Sequence, residues 1–389
     1  MTQTSFQTLA KEFDEFDRLI RPLNQTLKAA QRAHLDVRGR IGNDAALSDL
    51  HVADFLQGSY ARYTMVKPGL DEYGDLKKAD VDIVLVTNVS EDDYEPEDVL
   101  RIVLNWLEKE YGKGCAEIQS RSVKLSLPDV EVDLVPTSAP SEAQKAALLR
   151  YTENALQAET RSADRSDDVL NPDEVFGPSG LPDDQWALEP LRIPDKDAQE
   201  WQDTHPLATL EFTVEKNSHC NKKFLRVARA LKWWRRQAAQ QPGASKYPRS
   251  YPIEHMAGDH CPTDFSSIAE GLTRTFQNMR AAYGKFYPHT KAPMPPRGLD
   301  GSEADVLSRL TQEDFNAFYE ELCTASDLAM KALTWGNRRE AAQMWREILG
   351  DEFKVPPALP ASTTTAAAAA GGFVEPKAPP ADYPWGRFG

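Results

Sequence analysis

Ala79-Asp80-Val81-Asp82-Ile83-Val84-Leu85-Val86 decides how this chain folds: it is an apolar run carrying two carboxylates at i and i+2. A β-strand sends residues two apart to the same face, so the spacing predicts Asp80 and Asp82 side by side in one small volume. Two like charges buried together are costly unless cations neutralise them. Downstream, Val130-Glu131-Val132-Asp133-Leu134-Val135-Pro136 repeats the strand pattern. There Glu131 and Asp133 share one face, while Val130, Val132 and Leu134 share the other. If the two strands are neighbours, about 4.8 Å apart, Asp133 joins Asp80 and Asp82. Three clustered carboxylates are hard oxygen ligands suited to Mg²⁺. A pair of such ions roughly 3.5–4 Å apart clamps the attacking and leaving oxygens of a phosphoryl or nucleotidyl transfer. The competing reading is a solvated strand edge whose charges discourage pairing.

Gln57-Gly58-Ser59-Tyr60 lies upstream, after a partly apolar lead-in from Leu50 to Leu56. Glycine lets backbone N–H groups approach a phosphate closely, and the serine hydroxyl adds a hydrogen bond. A lead-in strand, Gly-Ser, a polar stretch and then the acidic strand form a combination that few other folds need.

The composition sets bounds. A chain of 389 residues can form two domains with real cores, and 41% hydrophobic with 27% charged residues is ordinary for a soluble globular protein. A formal net charge of −15 argues against coating a long nucleic acid by bulk electrostatics. No stretch approaches the roughly 18 apolar residues of a membrane span, and Met1-Thr2-Gln3-Thr4 does not open a signal peptide. Cys115, Cys220, Cys261 and Cys323 lack regular spacing, which suggests reduced thiols in a cytoplasm.

Phe6, Leu9, Phe13, Phe16 and Ile20 recur at helical spacing, predicting a long amphipathic helix from Ser5 to about His34 that Pro22 kinks or interrupts. Val99–Tyr111 is the clearest helix of the first half. Asp164–Pro206 is rich in Pro, Asp and Gly, with Trp186 and Trp201 as isolated anchors, and reads as a long, partly ordered connection. Helical patterns dominate from Leu207 to about Gly350, and after Pro356 the chain turns to Pro, Ala, Thr and Gly, which cannot bury a core.

The strongest helix of the second half is Asn221–Gln237, where Phe224, Val227, Ala228, Leu231 and Trp234 form a buried stripe. Lys232 falls at its margin, either reaching into a cleft to pair with phosphate or laying its stem along the apolar flank. Arg226, Arg229 and Arg236 make a basic face, read as solvated rather than nucleic-acid-binding. Tyr247-Pro248-Arg249-Ser250-Tyr251-Pro252 begins the next helix; Ser250 near its start either caps it or presents its hydroxyl to an anion. His219-Cys220 and His260-Cys261 offer two pairs of zinc ligands without ordinary zinc-finger spacing, so a structural zinc is not the favoured reading.

Taken together, Gly58-Ser59, Asp80/Asp82, Asp133, Lys232 and Ser250-Tyr251 make the chain resemble the cGAS/DncV-like nucleotidyltransferases (CD-NTases), relatives of the oligoadenylate synthetases. The likeness runs from the opening helix through Met344–Phe353, which looks like the closing helix of that family. It implies an α+β fold: a polymerase-β-like palm with a long N-terminal spine helix over residues 1–205, a helical lobe over 206–355, and a flexible tail over 356–389. By the same resemblance Asp80, Asp82 and Asp133 hold two Mg²⁺ ions, for which Mn²⁺ can substitute. Gly58 and Ser59 form the phosphate turn, Lys232 and Ser250 contact the triphosphate, and Tyr251 stacks on a base. One departure is the longer gap between Gly58 and Asp80, its excess looking like the polar insert Pro68–Asp75. The implied activity joins ATP, GTP or other NTPs into a cyclic di- or trinucleotide. That product activates a separate effector in bacterial anti-phage systems (CBASS); a linear product, or RNA ends or a small molecule as acceptor, is the alternative. The terminal Gly389 is either the attachment point for a ubiquitin-transfer-like (E1/E2-like) enzyme or the end of an ordinary tail.

Overall fold

The β-branched run after Asp82 forms the centre of a mixed sheet because its alternate side chains are covered on both faces. The computed structural model describes residues 8–41, 44, 47, 49–69, 77–139, 141–163, 189–240, 244–299 and 304–358. Seven strands are present among the described residues: β1 (His51–Gln57), β2 (Ala79–Thr87), β3 (Ala116–Ile118), β4 (Val123–Ser126), β5 (Val130–Ser138), β6 (Leu191–Asp195) and β7 (Glu200–Thr204). Their order is β1-β2-β5-β4-β3, with the β6–β7 hairpin joined to β5. Strands β2 and β5 are parallel, and the other pairs are antiparallel.

In chain order the helices are α1 (Ala10–Ile20), α2 (Asn24–Ile41), α3 (Gly58–Ala61), α4 (Pro96–Tyr111), α5 (Glu142–Ala163), α6 (Pro206–His219), α7 (Phe224–Ala238), α8 (Ser250–His260), α9 (Ile268–Tyr283), α10 (Gln312–Thr334) and α11 (Arg338–Leu349). One face of the sheet buries Val81, Ile83, Val132 and Leu134 against Val37 and Ile41 of α2 and Leu100 and Trp106 of α4. The other face packs Phe55, Val84 and Val86 against Leu148 and Tyr151 of α5. A second, all-helical core gathers α1 and α7 to α11 around Phe13, Phe16, Trp234, Phe276, Phe318 and Trp345. No helix among the described residues is long and apolar enough to cross a membrane.

Pro22 interrupts the opening helix, one of the two outcomes its sequence allowed: Arg21 is extended (φ −73°, ψ 153°), as expected for a residue before proline. The break lets α1 serve the helical core while α2 packs on the sheet. Within the stretch read as a connection, residues 189–204 contain the β6–β7 hairpin, and Trp201 donates its indole N–H to the Tyr94 carbonyl at 3.0 Å. Trp186 and the rest of residues 164–188 lie outside the described residues, as do 70–75 of the insert and the tail from 359, Gly389 included.

The helix read from Asn221 starts at Phe224, because Asn221 and Lys222 sit at φ 49° and 61°. Its basic face is not solvated. Arg229 is buried and bonds both carboxylate oxygens of Asp17, while Arg226 pairs with Asp14. The face is covered because α1 presents an acidic row to it.

Candidate active site

Parallel register sets Asp82 opposite Asp133 and Asp80 opposite Glu131. One carboxylate oxygen from each of Asp80, Asp82 and Asp133 lies within 4.8 Å of the others. Burial raises Asp82 to about 7, with the charges of Asp80 and Asp133 adding to the rise and Arg62 and Lys124 opposing it. Burial, then the neighbouring Asp80, raises Asp133 to about 6, and burial also lifts Asp80. Asp133 Oδ1 is buried without a hydrogen-bond partner. An orphaned carboxylate oxygen among crowded carboxylates that resist ionisation is the donor set of a hard divalent cation. Glu131 shares their face but is diverted: Lys124 of β4 pairs with it at 3.0 Å.

The Gly-Ser turn follows β1, whose Gln57 is in register with Asp82. Gly58 opens α3 at φ +72°, a backbone that L side chains rarely adopt, and there is no room for one. Ser59 lines the same cleft as the triad.

From the helical lobe come Lys232 on α7 and Ser250, Tyr251 and Glu254 on α8, all on the wall of that cleft. Lys232 is buried, and its ammonium donates to the Thr64 carbonyl at 2.9 Å and to Glu254 Oε2 at 3.1 Å. Its stem therefore does not run out to water. Ser250 is the first residue of α8, whose N-cap, Arg249, makes no side-chain cap hydrogen bond; Ser250 stays exposed to the cleft. Tyr251 is 40% exposed, and the Arg62 guanidinium sits 5.7 Å from its ring centroid.

Sequence reading missed Arg62, Thr64, Glu254 and Lys124. Glu254 accepts from Arg62 Nε, from the Thr64 hydroxyl at 2.7 Å and from Lys232, so one buried carboxylate joins the two lobes. Burial pushes its acid up, but the charges of Arg62 and Lys232 override this and hold it at about 2. Its position four residues after Ser250, on one helical face, was the available signal. The four candidate zinc ligands are not gathered as a metal-holding group among the described residues. His260 Nε2 meets the Tyr283 hydroxyl at 3.0 Å, and Cys220 and Cys261 both direct Sγ at the Pro262 carbonyl.

Residues 8–156 match the Second Messenger Oligonucleotide or Dinucleotide Synthetase (SMODS) domain. A cyclic AMP-AMP-GMP synthase of Enterobacter hormaechei is 34% identical over 98% of this chain and 99% of its own length. The chain belongs to the CD-NTases of CBASS. A cyclic AMP-AMP-AMP synthase of an Acinetobacter species is a more distant relative, 26% identical over 91% of this chain and 88% of its own. Among solved structures, Bradyrhizobium diazoefficiens CdnG in complex with GTP aligns at TM-score 0.60 and 15% identity, covering 88% of this chain and 95% of that one. Escherichia coli CdnC with ATP aligns at 0.58 and 15%, covering 89% and 98%. The polymerase-β-like fold is thus shared. As a CD-NTase, the chain is a nucleotidyltransferase that makes a cyclic oligonucleotide second messenger, the signal of an anti-phage response.

Proposed function

We propose that this synthase joins ATP and GTP into a cyclic trinucleotide of two adenylates and one guanylate. The full-length similarity to a cyclic AMP-AMP-GMP synthase supports the composition. The observation that carries the chemistry is the convergence of Asp80, Asp82 and Asp133 beside the Gly58-Ser59 turn, in a cleft also lined by Lys232. That cleft is about 1160 Å³, above the roughly 300–1,000 Å³ typical of a site for one small ligand, which suits a donor and an acceptor bound together.

In this reading the palm with its N-terminal spine helix spans 1–205, α1 of that segment docking on the core of the helical lobe over 206–355, and the tail covers 356–389. Asp80, Asp82 and Asp133 would hold two Mg²⁺ ions, or Mn²⁺, which would supply acidification of the acceptor hydroxyl and stabilisation of the pyrophosphate leaving group. Gly58 lets the backbone come close to the donor phosphates, and Ser59, Ser250 and Lys232 hold them by charge-assisted hydrogen bonds. Tyr251 stacks on the donor base, and fixing base and phosphates together orients the α-phosphorus for in-line attack. The linear intermediate then turns in the cleft and its ends are joined.

The product activates a separate effector, and the enzyme acts in the bacterial cytoplasm. Gly389, without a Cβ, is the residue an E1/E2-like enzyme would adenylate and transfer; deleting it removes covalent adducts in cells carrying that enzyme. Mass spectrometry of the product from four NTPs, before and after phosphatase, tests the main reading. A phosphatase-resistant ring of two AMP units and one GMP unit supports it, whereas a phosphatase-sensitive chain or a ring of other composition overturns it.

A further inference from the structure

Three transfers in one cleft, the number a cyclic trinucleotide needs, require that the acceptor be held as firmly as the donor, and the acceptor carries its own 5′-triphosphate. Of the cations on the cleft wall, Arg62 and Lys232 are paired with Glu254, Arg121 with Asp195, Lys124 with Glu131 and Arg297 with Asp259. Arg309 also lines the cleft, is exposed, and has no carboxylate within ion-pair reach among the described residues.

The turn that carries Arg309 is rigid. Leu307 and Leu310 are buried in the helical core, and their carbonyls accept from Lys291 Nζ at 3.2 and 2.5 Å. Asp305 Oδ1 accepts from the backbone N–H groups of Met294 and Leu307 at 3.2 and 2.8 Å. Anchored on both sides, the turn leaves Ser308 and Arg309 exposed on the cleft wall. An exposed arginine on a flexible loop is ordinary; one on a pinned turn, in a cleft where the other cations already have carboxylate partners and Lys232 is assigned to the donor phosphates, is placed for a second incoming anion. A guanidinium suits phosphate because it can donate two parallel hydrogen bonds.

Resting on the reading of this cleft as a nucleotidyl-transfer site, we infer that Arg309 binds the 5′-triphosphate of the acceptor nucleotide, with the Ser308 hydroxyl beside it. The residue acts on substrate retention between transfers and not on the donor phosphates. The pairing also makes a nucleoside a poor acceptor relative to a nucleoside triphosphate.

The test isolates one transfer. Labelled 2′,3′-dideoxy-ATP serves as a donor that cannot accept, and α,β-methylene-ATP or adenosine serves as an acceptor that cannot donate. The full-length wild type is expected to prefer the triphosphate acceptor. Arg309→Ala should lower that preference, taken as a ratio of kcat/KM values, by about tenfold or more, the scale of a lost charge-assisted hydrogen bond. Arg309→Lys should retain part of it. An unchanged ratio in Arg309→Ala overturns the inference, whether both rates hold or both fall together. A wild type that transfers to neither acceptor overturns the reading of the cleft itself, and this inference with it.

Discussion

A Cβ placed on Gly58 would lie 1.8 Å from Asp82 Oδ2, so the Gly58-Ser59 turn and the Asp82 carboxylate are packed against each other. The glycine is needed twice, for its positive φ and for the room it leaves. Gly58→Ala is therefore expected to displace Asp82 and reduce cyclic product at least about a hundredfold, a scale typical of catalytic groups misplaced by about 1 Å. The thermal melt should shift only modestly, since left-handed backbone strain costs about 1–2 kcal/mol. Product assays and melts on the same preparation separate the two effects.

Asp80→Asn and Asp82→Asn are each expected to abolish product from labelled NTPs with Mg²⁺ or Mn²⁺. Full synthesis by either variant would falsify the two-metal chemistry.

The raised acids make a second, independent prediction. Folded Asp82 and Asp133 hold protons up to about pH 7 and 6, whereas an unfolded aspartate releases its proton near about 3.9. Between those limits the folded chain binds more protons than the unfolded one, so its metal-free stability falls as pH rises from roughly 4 to 7. Melting temperatures in chelator from pH 5 to 8 should show that decline. Asp82→Asn should flatten it, and divalent cation should reverse it in the wild type by binding the folded state.

Glu254 has the opposite sign. Its acid is held at about 2, below the ordinary 4.5, so its contribution is present above that ordinary value and is lost as pH falls towards 2. Glu254→Ala leaves Arg62 and Lys232 as uncompensated buried cations, a defect worth about 3–5 kcal/mol, readable in a urea midpoint. Adding Lys232→Met to Glu254→Ala should recover part of the loss, the coupling expected of a direct pair.

Asp17→Ala removes the partner of buried Arg229 and should destabilise the chain by about 3 kcal/mol or more. A denaturation midpoint within error of wild type would show that α1 docks by its apolar face alone.

Much of the site was legible because strand periodicity is local. Alternation in Ala79–Val86 and Val130–Pro136 is enough to put Asp80, Asp82 and Asp133 on matching faces, and Gly58-Ser59 announces a turn by residue type. Lys232 and Ser250 were identifiable as helix residues with either a structural or a phosphate role, and only the fold brings both to the wall of the cleft. Spacing along one helix could not show that Arg229 meets Asp17, 212 residues away, or that α1 leaves the palm to join the helical core. The Arg62–Glu254–Lys232 network was hidden for the same reason, as was the isolation of Arg309. Periodicity along a chain records which side of an element is apolar, so it specified the strands, the main helices and the acidic face. Which charge meets which depends on long-range packing and on water being excluded around each pair, and neither leaves a regular trace in residue order.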